Sequence, residues 1–308
     1  MNNPKFDWEA ISNEINSALN RQAITREFSI GQLTTYRTEA NCRLFLTVKD
    51  QEELRVVAAV VRERGIRVAI IGNGSNLLIA DRGFNGIVMK LGTKFESFEI
   101  QDNIVTAGAA VKLPVLARQT AAAGFSGFEW AVGVPGTIGG GVKMNAGGHG
   151  SDMKASVQEA EIVDLSTGDQ YSLTSTELAF GYRVSSVNPT QVVIEAKLAL
   201  EEGRKSDSEE IIREIVKWRL DNQPGGQNAG SVFTNPENDS AGRLIEETGS
   251  KGYRIGTAQV SEKHANFIQV DPGGKANDVY ALMQELRRRV LVESGVLLEV
   301  ETELIGFE

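Results

Sequence analysis

The chain has 308 residues, with 32 Lys and Arg against 41 Asp and Glu, a formal net charge of −9 and a single cysteine, Cys42. A chain this long can bury a large core and divide into two or three domains. The acidic balance argues against a nucleic-acid partner, whose phosphates need clustered cations; one cysteine excludes an internal disulfide or a multi-cysteine metal site, and two histidines, His149 and His264, leave little for a histidine-based one.

The first thirty residues carry charges from Asp7 to Glu27, so no apolar signal core is present. No apolar run approaches the roughly 20 residues of a membrane helix, and a cytoplasmic, membrane-free monomer is expected. Residues 51–64 have a helical apolar stripe that stops at Gly65, a natural left-handed cap. Arg67–Gly72 is β-branched and reads as a buried strand ending in the tight loop Gly72-Asn-Gly74. Residues 113–123 read as a helix closed by Gly124, and 157–165, 168–174 and 192–200 as strands, with turns at Ser166-Thr-Gly168 and Asn188-Pro189. The charged stretch Glu201–Asp207 reads as a linker into an amphipathic helix at 208–221, whose Ile211, Ile212, Ile215, Val216 and Leu220 share a face. A second long helix covers 277–293 with Asn277 as N-cap, and Arg287-Arg288-Arg289 on it reads as a solvated, carboxylate-balanced face. A strand-like segment, Val296 to Ile305, closes the chain. Helices and strands mix without βαβ alternation, which favours α+β, with domain boundaries near 90 and 203.

Two glycine loops invite a cofactor. Gly72-Asn-Gly74 follows a strand, but the dinucleotide fingerprint needs a small third residue where this chain has Leu77, so the Rossmann reading fails. Gly133 to Gly150 contains eight glycines, more than a packing helix or strand should tolerate. Glycine lets backbone N–H groups approach a ligand without an intervening Cβ, and successive N–H groups form anion-binding nests. Pro135 stiffens the entry and Thr137 adds a hydroxyl.

Thr35-Tyr36-Arg37-Thr38, Ile71–Leu78, Gly133–Gly140 and Met144-Asn-Ala-Gly147 together resemble the flavin-binding motifs of the UDP-N-acetylenolpyruvoylglucosamine reductase family. In order follow Phe180–Ser185, matching the family's Tyr-Arg-x-Ser, then Ala229–Pro236, Gly252–Gly256, Val260-Ser261, His264–Phe267 and Leu298–Glu301. The match runs from about residue 34 to 306, and the Arg183–Ser231 spacing resembles the shorter subtype, which lacks an extra tyrosine loop. The resemblance implies a vanillyl-alcohol-oxidase type FAD-binding fold: subdomains at 1–90 and 91–203 holding FAD, and a substrate domain at 204–308. It further implies NADPH as electron donor and UDP-N-acetylglucosamine enolpyruvate as acceptor.

That acceptor is an α,β-unsaturated carboxylate. Hydride can reach its β-carbon only if charge on the α-carbon and carboxylate is stabilised, and Arg183 suits the task through its bidentate, permanently charged fork. By resemblance Ser231 is the general acid at the α-carbon, and Glu301, two residues beyond Glu299, polarises the enolate or orients the relay. A carboxylate there must be protonated to help, which implies burial. The resemblance assigns Tyr36, Arg37, Gly72, Gly74, Ser75, Asn76, Gly133, Pro135, Gly136, Thr137, Gly139, Gly140, Asn145 and Ala146 to FAD, and Tyr182, Asn235 and Lys251 to the nucleotide sugar. Where the family has lysine this chain has Thr234; Lys217, Arg219, Arg243, Lys251 or Lys143 is left to supply that charge. His264 reads as a hydrogen-bonded turn or core residue. Rival readings are an FAD oxidase, with His149 as covalent anchor, and a non-catalytic nucleotide-binding module.

Overall fold

The computed structural model describes residues 6–307, and its chain forms two compact units. The first comprises the chain up to Phe28, Cys42–Gly72 and Asn85–Arg213; the second comprises Ser29–Asn41, Asn73–Phe84 and Glu214–Glu308. Among the described residues no helix is long and apolar enough to cross a membrane.

In the first unit, helices α1 (Trp8–Ala18) and α2 (Gln51–Arg64) accompany a sheet whose strand order is Thr25–Ser29, Asn41–Val48, Phe84–Leu91, Val68–Ile70. The expected helix 51–64 forms as read: Asp50 caps its start by accepting from the Glu53 amide (3.0 Å), and Gly65 ends it at φ +63°. The expected strand 67–72 shrinks to Val68–Ile70, half-buried and paired in parallel with Phe84–Leu91. Helix α3 (Leu113–Ala122) stops before Gly124 as expected. A five-stranded antiparallel sheet runs in the order Gln170–Thr174, Val157–Asp164, Gln191–Ala199, Ile104–Gly108, Phe98–Gln101, so the three expected strands are present and mutually paired.

The glycine run departs from expectation, because Ile138–Met144 is a short helix, α4, holding Gly139, Gly140 and Gly141. The reason is close packing. A Cβ on Gly139 would stand 2.9 Å from that of Ala109, and the Gly139 amide donates to the Ala109 carbonyl at 2.9 Å. Here glycine serves helix-to-strand approach as well as ligand access.

The expected linker 201–207 is shorter than read. Glu201–Glu202 pairs with Phe125–Ser126, and helix α5 already begins at Lys205 and ends at Asn222. Ile212 and Ile215 are buried on it, whereas Ile211 and Leu220 are exposed, so the apolar stripe is narrower than its composition suggested.

The second unit gathers three chain segments around one apolar core of Tyr36, Leu78, Val232, Phe233, Leu244 and the inner face of the long helix. Helix α6 (Ala241–Glu247) and α7 (Ala276–Ser294) accompany a three-stranded sheet, Arg254–Ile255, Ala258–Val260 and Ile268–Val270. Val279, Leu282, Met283, Leu286 and Val290 recur at helical spacing on α7 and are fully buried, each contributing roughly 1.5–3 kcal/mol relative to exposure. Asn277 is not the N-cap. Lys275 holds that position without a side-chain acceptor, and Asp81 replaces it by accepting from the Ala276 and Asn277 amides at 2.7 and 3.1 Å. A distant carboxylate at the positive helix end satisfies donors that no local residue reaches. Glu285 pairs with Arg288 and Arg289, as the balanced-face reading requires, while Arg287 turns to the Leu298 carbonyl. The closing strand shrinks to Glu303–Ile305, parallel to Leu77–Ile79.

Candidate active site

In the first unit the two glycine loops meet. A Cβ on Gly72 would lie 2.6 Å from the Thr137 hydroxyl, so the approach depends on glycine. The loop Gly133–Gly136 enters α4 with its Gly136 amide and carbonyl already bonded to Val134 and Leu113. The Ile138 and Gly139 amides are likewise spent, on Val111 and Ala109. What stays without a hydrogen-bond partner among the described residues is the Thr137 amide and hydroxyl and the Gly140 amide. These are three donors in a glycine-lined bend, the chemistry a pyrophosphate needs. Trp130, just before the run, buries an indole N–H that no described residue accepts. This donor set fits a flavin dinucleotide.

Asn145 and Ala146 follow α4. Ala146 spends its backbone on Gly141 and Met153, and Asn145 adopts φ +40°. The segment carrying Tyr182 and Arg183 is fastened to the same run. Asn145 Nδ2 donates to the Gly181 carbonyl (2.8 Å), Arg183 Nη2 to the Gly147 carbonyl (2.8 Å) and Ser185 Oγ to the Lys143 carbonyl (2.8 Å). Arg183 sits at φ +59° with its guanidinium 5.0 Å over the exposed Tyr182 ring. A bulky non-glycine residue in this region costs on the order of 1 kcal/mol and marks a turn held by its surroundings. His149, at φ +52°, is exposed at the tip of the hairpin that follows.

In the second unit, Tyr36, Arg37, Gly74, Ser75 and Asn76 come together. The Thr35 amide donates to the Gly74 carbonyl at 3.0 Å, and the Arg37 amide to Thr34 Oγ1 at 3.2 Å. Leu77–Ile79 after this loop is a strand, which agrees with rejecting the Rossmann reading. Tyr36 is wholly buried in the core, and its hydroxyl lies beside the Ala229 backbone without good hydrogen-bond geometry. Burial pushes that phenol well above its ordinary range.

Ser231 and Glu301 belong to one piece of backbone. Ser231 bridges Phe267, Phe233 bridges Val300, and the Glu301 and Thr302 amides both donate to the Val232 carbonyl, at 2.8 and 3.4 Å. Two residues opposite one make a β-bulge, a device that re-aims side chains. Asn76 Nδ2 donates to the Glu301 carbonyl (3.0 Å), joining the glycine loop to the same strand. The Ser231 hydroxyl has no hydrogen-bond partner among the described residues. Glu301 is half-buried, whereas Glu299 is exposed.

Sequence reasoning assigned no role to Asn266, which clamps this element: its Oδ1 accepts from the Phe233 amide (3.0 Å) and its Nδ2 donates to the Phe233 carbonyl (2.8 Å). Its place in the ordered motif was a signal, but a backbone-bonding role needs coordinates.

Asn235 Oδ1 accepts from the Ala241 amide, and Lys251 pairs with Glu246 at 2.8 Å. Of the cations considered for the Thr234 departure, Lys217 pairs with Asp221 and Arg243 with Asp239 and Glu247. Among the described residues the Arg219 guanidinium bonds only Gln223, and burial holds it below its ordinary range. His264 behaves as a turn residue: its Nδ1 accepts from the Asn266 amide and its carbonyl from Phe267.

Residues 42–174 match an FAD binding domain, and residues 222–305 match the C-terminal domain of UDP-N-acetylenolpyruvoylglucosamine reductase. The reductase of that name from Heliobacterium modesticaldum is 39% identical over 294 residues, covering 92% of this chain and 93% of the relative. That of Trichormus variabilis is 38% identical, over 94% and 87%. The crystal structure of the UDP-N-acetylenolpyruvylglucosamine reductase from Thermus caldophilus superposes with a TM-score of 0.79 at 34% identity, covering 92% of this chain and 98% of that one. A glucose dehydrogenase, Phl p 4.0202, shares the fold alone, with a TM-score of 0.53 at 12% identity over 69% of this chain and 50% of its own. The fold is therefore the expected α+β flavin-binding type, and the chain is an FAD-dependent oxidoreductase. It belongs to the UDP-N-acetylenolpyruvoylglucosamine reductase family.

Proposed function

We propose that the chain reduces UDP-N-acetylglucosamine enolpyruvate to UDP-N-acetylmuramate with electrons from NADPH, a step of peptidoglycan precursor synthesis. The observation that carries this reading is Ser231, whose hydroxyl has no hydrogen-bond partner among the described residues and stands on backbone paired at a bulge with the segment of Glu301. Bound FAD would accept electrons from NADPH and supply hydride to the β-carbon of the substrate.

The residues to hold it are the Thr137 amide and hydroxyl and the Gly140 amide at the pyrophosphate, with Gly72, Gly133, Pro135 and Gly136 shaping the bend. Arg37, Gly74, Ser75 and Asn76 complete the set. Arg183 binds the substrate carboxylate and stabilises the charge that grows there. Ser231 Oγ then gives its proton to the α-carbon, and the enolate is basic enough to take it. Glu301, half-buried where Glu299 is exposed, orients that proton transfer. Tyr182, Asn235 and Lys251 contact the nucleotide sugar, and Arg219, a half-buried cation without a carboxylate partner among the described residues, supplies the charge absent at Thr234.

Stopped-flow flavin kinetics test the assignment. In Ser231→Ala, NADPH should reduce the flavin as fast as in the parent, while reoxidation by the enolpyruvyl nucleotide slows by about two orders of magnitude, a usual scale for a general acid. Equal slowing of both half-reactions would make Ser231 structural.

A further inference from the structure

We infer that Asn145 is a positioning residue for Arg183 and not a ligand of the cofactor. The inference rests on the reading of Arg183 as the cation at the substrate carboxylate, and it is carried by the hydrogen-bond inventory of one amide. An asparagine side chain has two N–H donors and one carbonyl acceptor. Asn145 spends both donors, on Asp152 Oδ2 at 3.0 Å and on the Gly181 carbonyl at 2.8 Å, and its Oδ1 accepts from the Lys154 amide at 3.0 Å. Only 2% of the residue is exposed. No donor is left for a flavin.

What the amide does instead is hold the turn. Gly181 and Val184 close a tight bridge around Tyr182 and Arg183, and Arg183 is in the left-handed region at φ +59°. The Asn145 bond fixes the entrance of this turn, and Ser185 Oγ, on the Lys143 carbonyl, fixes its exit. Arg183 then reaches the Gly147 carbonyl, two residues beyond Asn145. Three bonds to 143–147 thus set where a strained arginine presents its fork. A misplacement of about 1 Å costs a positioned group about a hundredfold in rate.

Asn145→Gly tests this, since glycine keeps the left-handed backbone (φ +40°) and deletes only the amide. The purified holoenzyme should retain its FAD and its rate of reduction by NADPH. Reoxidation by the enolpyruvyl nucleotide should slow by about tenfold or more, and amide hydrogen exchange in the peptide covering 179–187 should quicken. Asn145→Asp should not rescue, because it loses the donor to Gly181. Ser185→Ala should act in the same direction more weakly, which keeps the test available if Asn145→Gly fails to fold. Adding Asn145→Gly to Arg183→Ala should slow reoxidation no further. Loss of FAD from Asn145→Gly would overturn the proposal by making Asn145 a cofactor ligand, and so would unchanged exchange with unchanged reoxidation. If Arg183→Ala itself reoxidises normally, the reading of Arg183 fails, and turn exchange still reports on the Asn145 clamp by itself.

Discussion

The two units hold their site residues by different means. In the first, Arg183 sits on a turn fastened by side chains: Asn145, Ser185 and Arg183 itself each reach a backbone carbonyl. In the second, Ser231 and Glu301 sit mainly on backbone paired to backbone, with Val232 between Asn266 on one side and the Glu301–Thr302 bulge on the other, and the Asn266 and Asn76 side chains brace that backbone and not the functional groups. The difference predicts how each side responds to substitution. Where side chains fasten the turn, changing one moves the functional group while the fold stands. Where backbone pairing fastens the segment, the Ser231 hydroxyl carries no structural bond among the described residues, and damage comes from breaking the pairing.

The strongest way to break the comparison is Asn266→Ala. It leaves the amide and carbonyl of the fully buried Phe233 without their partners, and urea unfolding should show a loss of about 2–6 kcal/mol, the sum of two unsatisfied buried groups. Near-native stability would mean that backbone pairing alone fixes Ser231, whereas the expected loss would show that the Asn266 side chain shares that task. Ser231→Ala sharpens the same point from the other side. With no side-chain bond to lose among the described residues, it should change unfolding free energy by less than about 0.5 kcal/mol while abolishing most turnover.

A smaller effect is expected from His264, which accepts from the Asn266 amide. Burial, and secondarily the charge of Lys251, lowers its folded pKa below the ordinary value near 6.5. The folded state therefore binds fewer protons than the unfolded one, so this contribution is complete above about pH 6.5 and is lost as pH falls through the folded value. Melting temperature should drop between pH 7 and pH 5, and less so in His264→Gln; parallel pH profiles would show that the histidine is uncoupled from the clamp. The first unit offers the contrasting case of an inert group. Burial pushes the Cys42 thiol up to about 12, so iodoacetamide at pH 8 should leave it unlabelled in the native protein and label it in urea.

Much of this was legible in the amino-acid order. The helix at 51–64 was readable because its apolar period and its terminating Gly65 are both local signals. The antiparallel strands of the larger sheet carried β-branched alternation and turn residues, and the ordered motifs named the family across nearly the whole chain. Failures fell where a distant residue supplied the missing chemistry. Asn277 looked like a cap because the sequence offers no sign that Asp81, almost two hundred residues earlier, takes the role. The strand expected from Val296 to Ile305 kept only its end, since the bulge at Glu301–Thr302 exists only against Val232.

The sequence by itself determined the class of molecule, the glycine-rich bends and the residue types able to bind a carboxylate and move a proton, because these depend on side-chain chemistry and short spacings. Only the tertiary structure decided which amides of the glycine run are still free to donate, which of two neighbouring glutamates is half-buried, and that Asn145 has already spent its donors within the protein. Those are questions of partner and exposure, and partners are set by segments that meet in space after long separations along the chain.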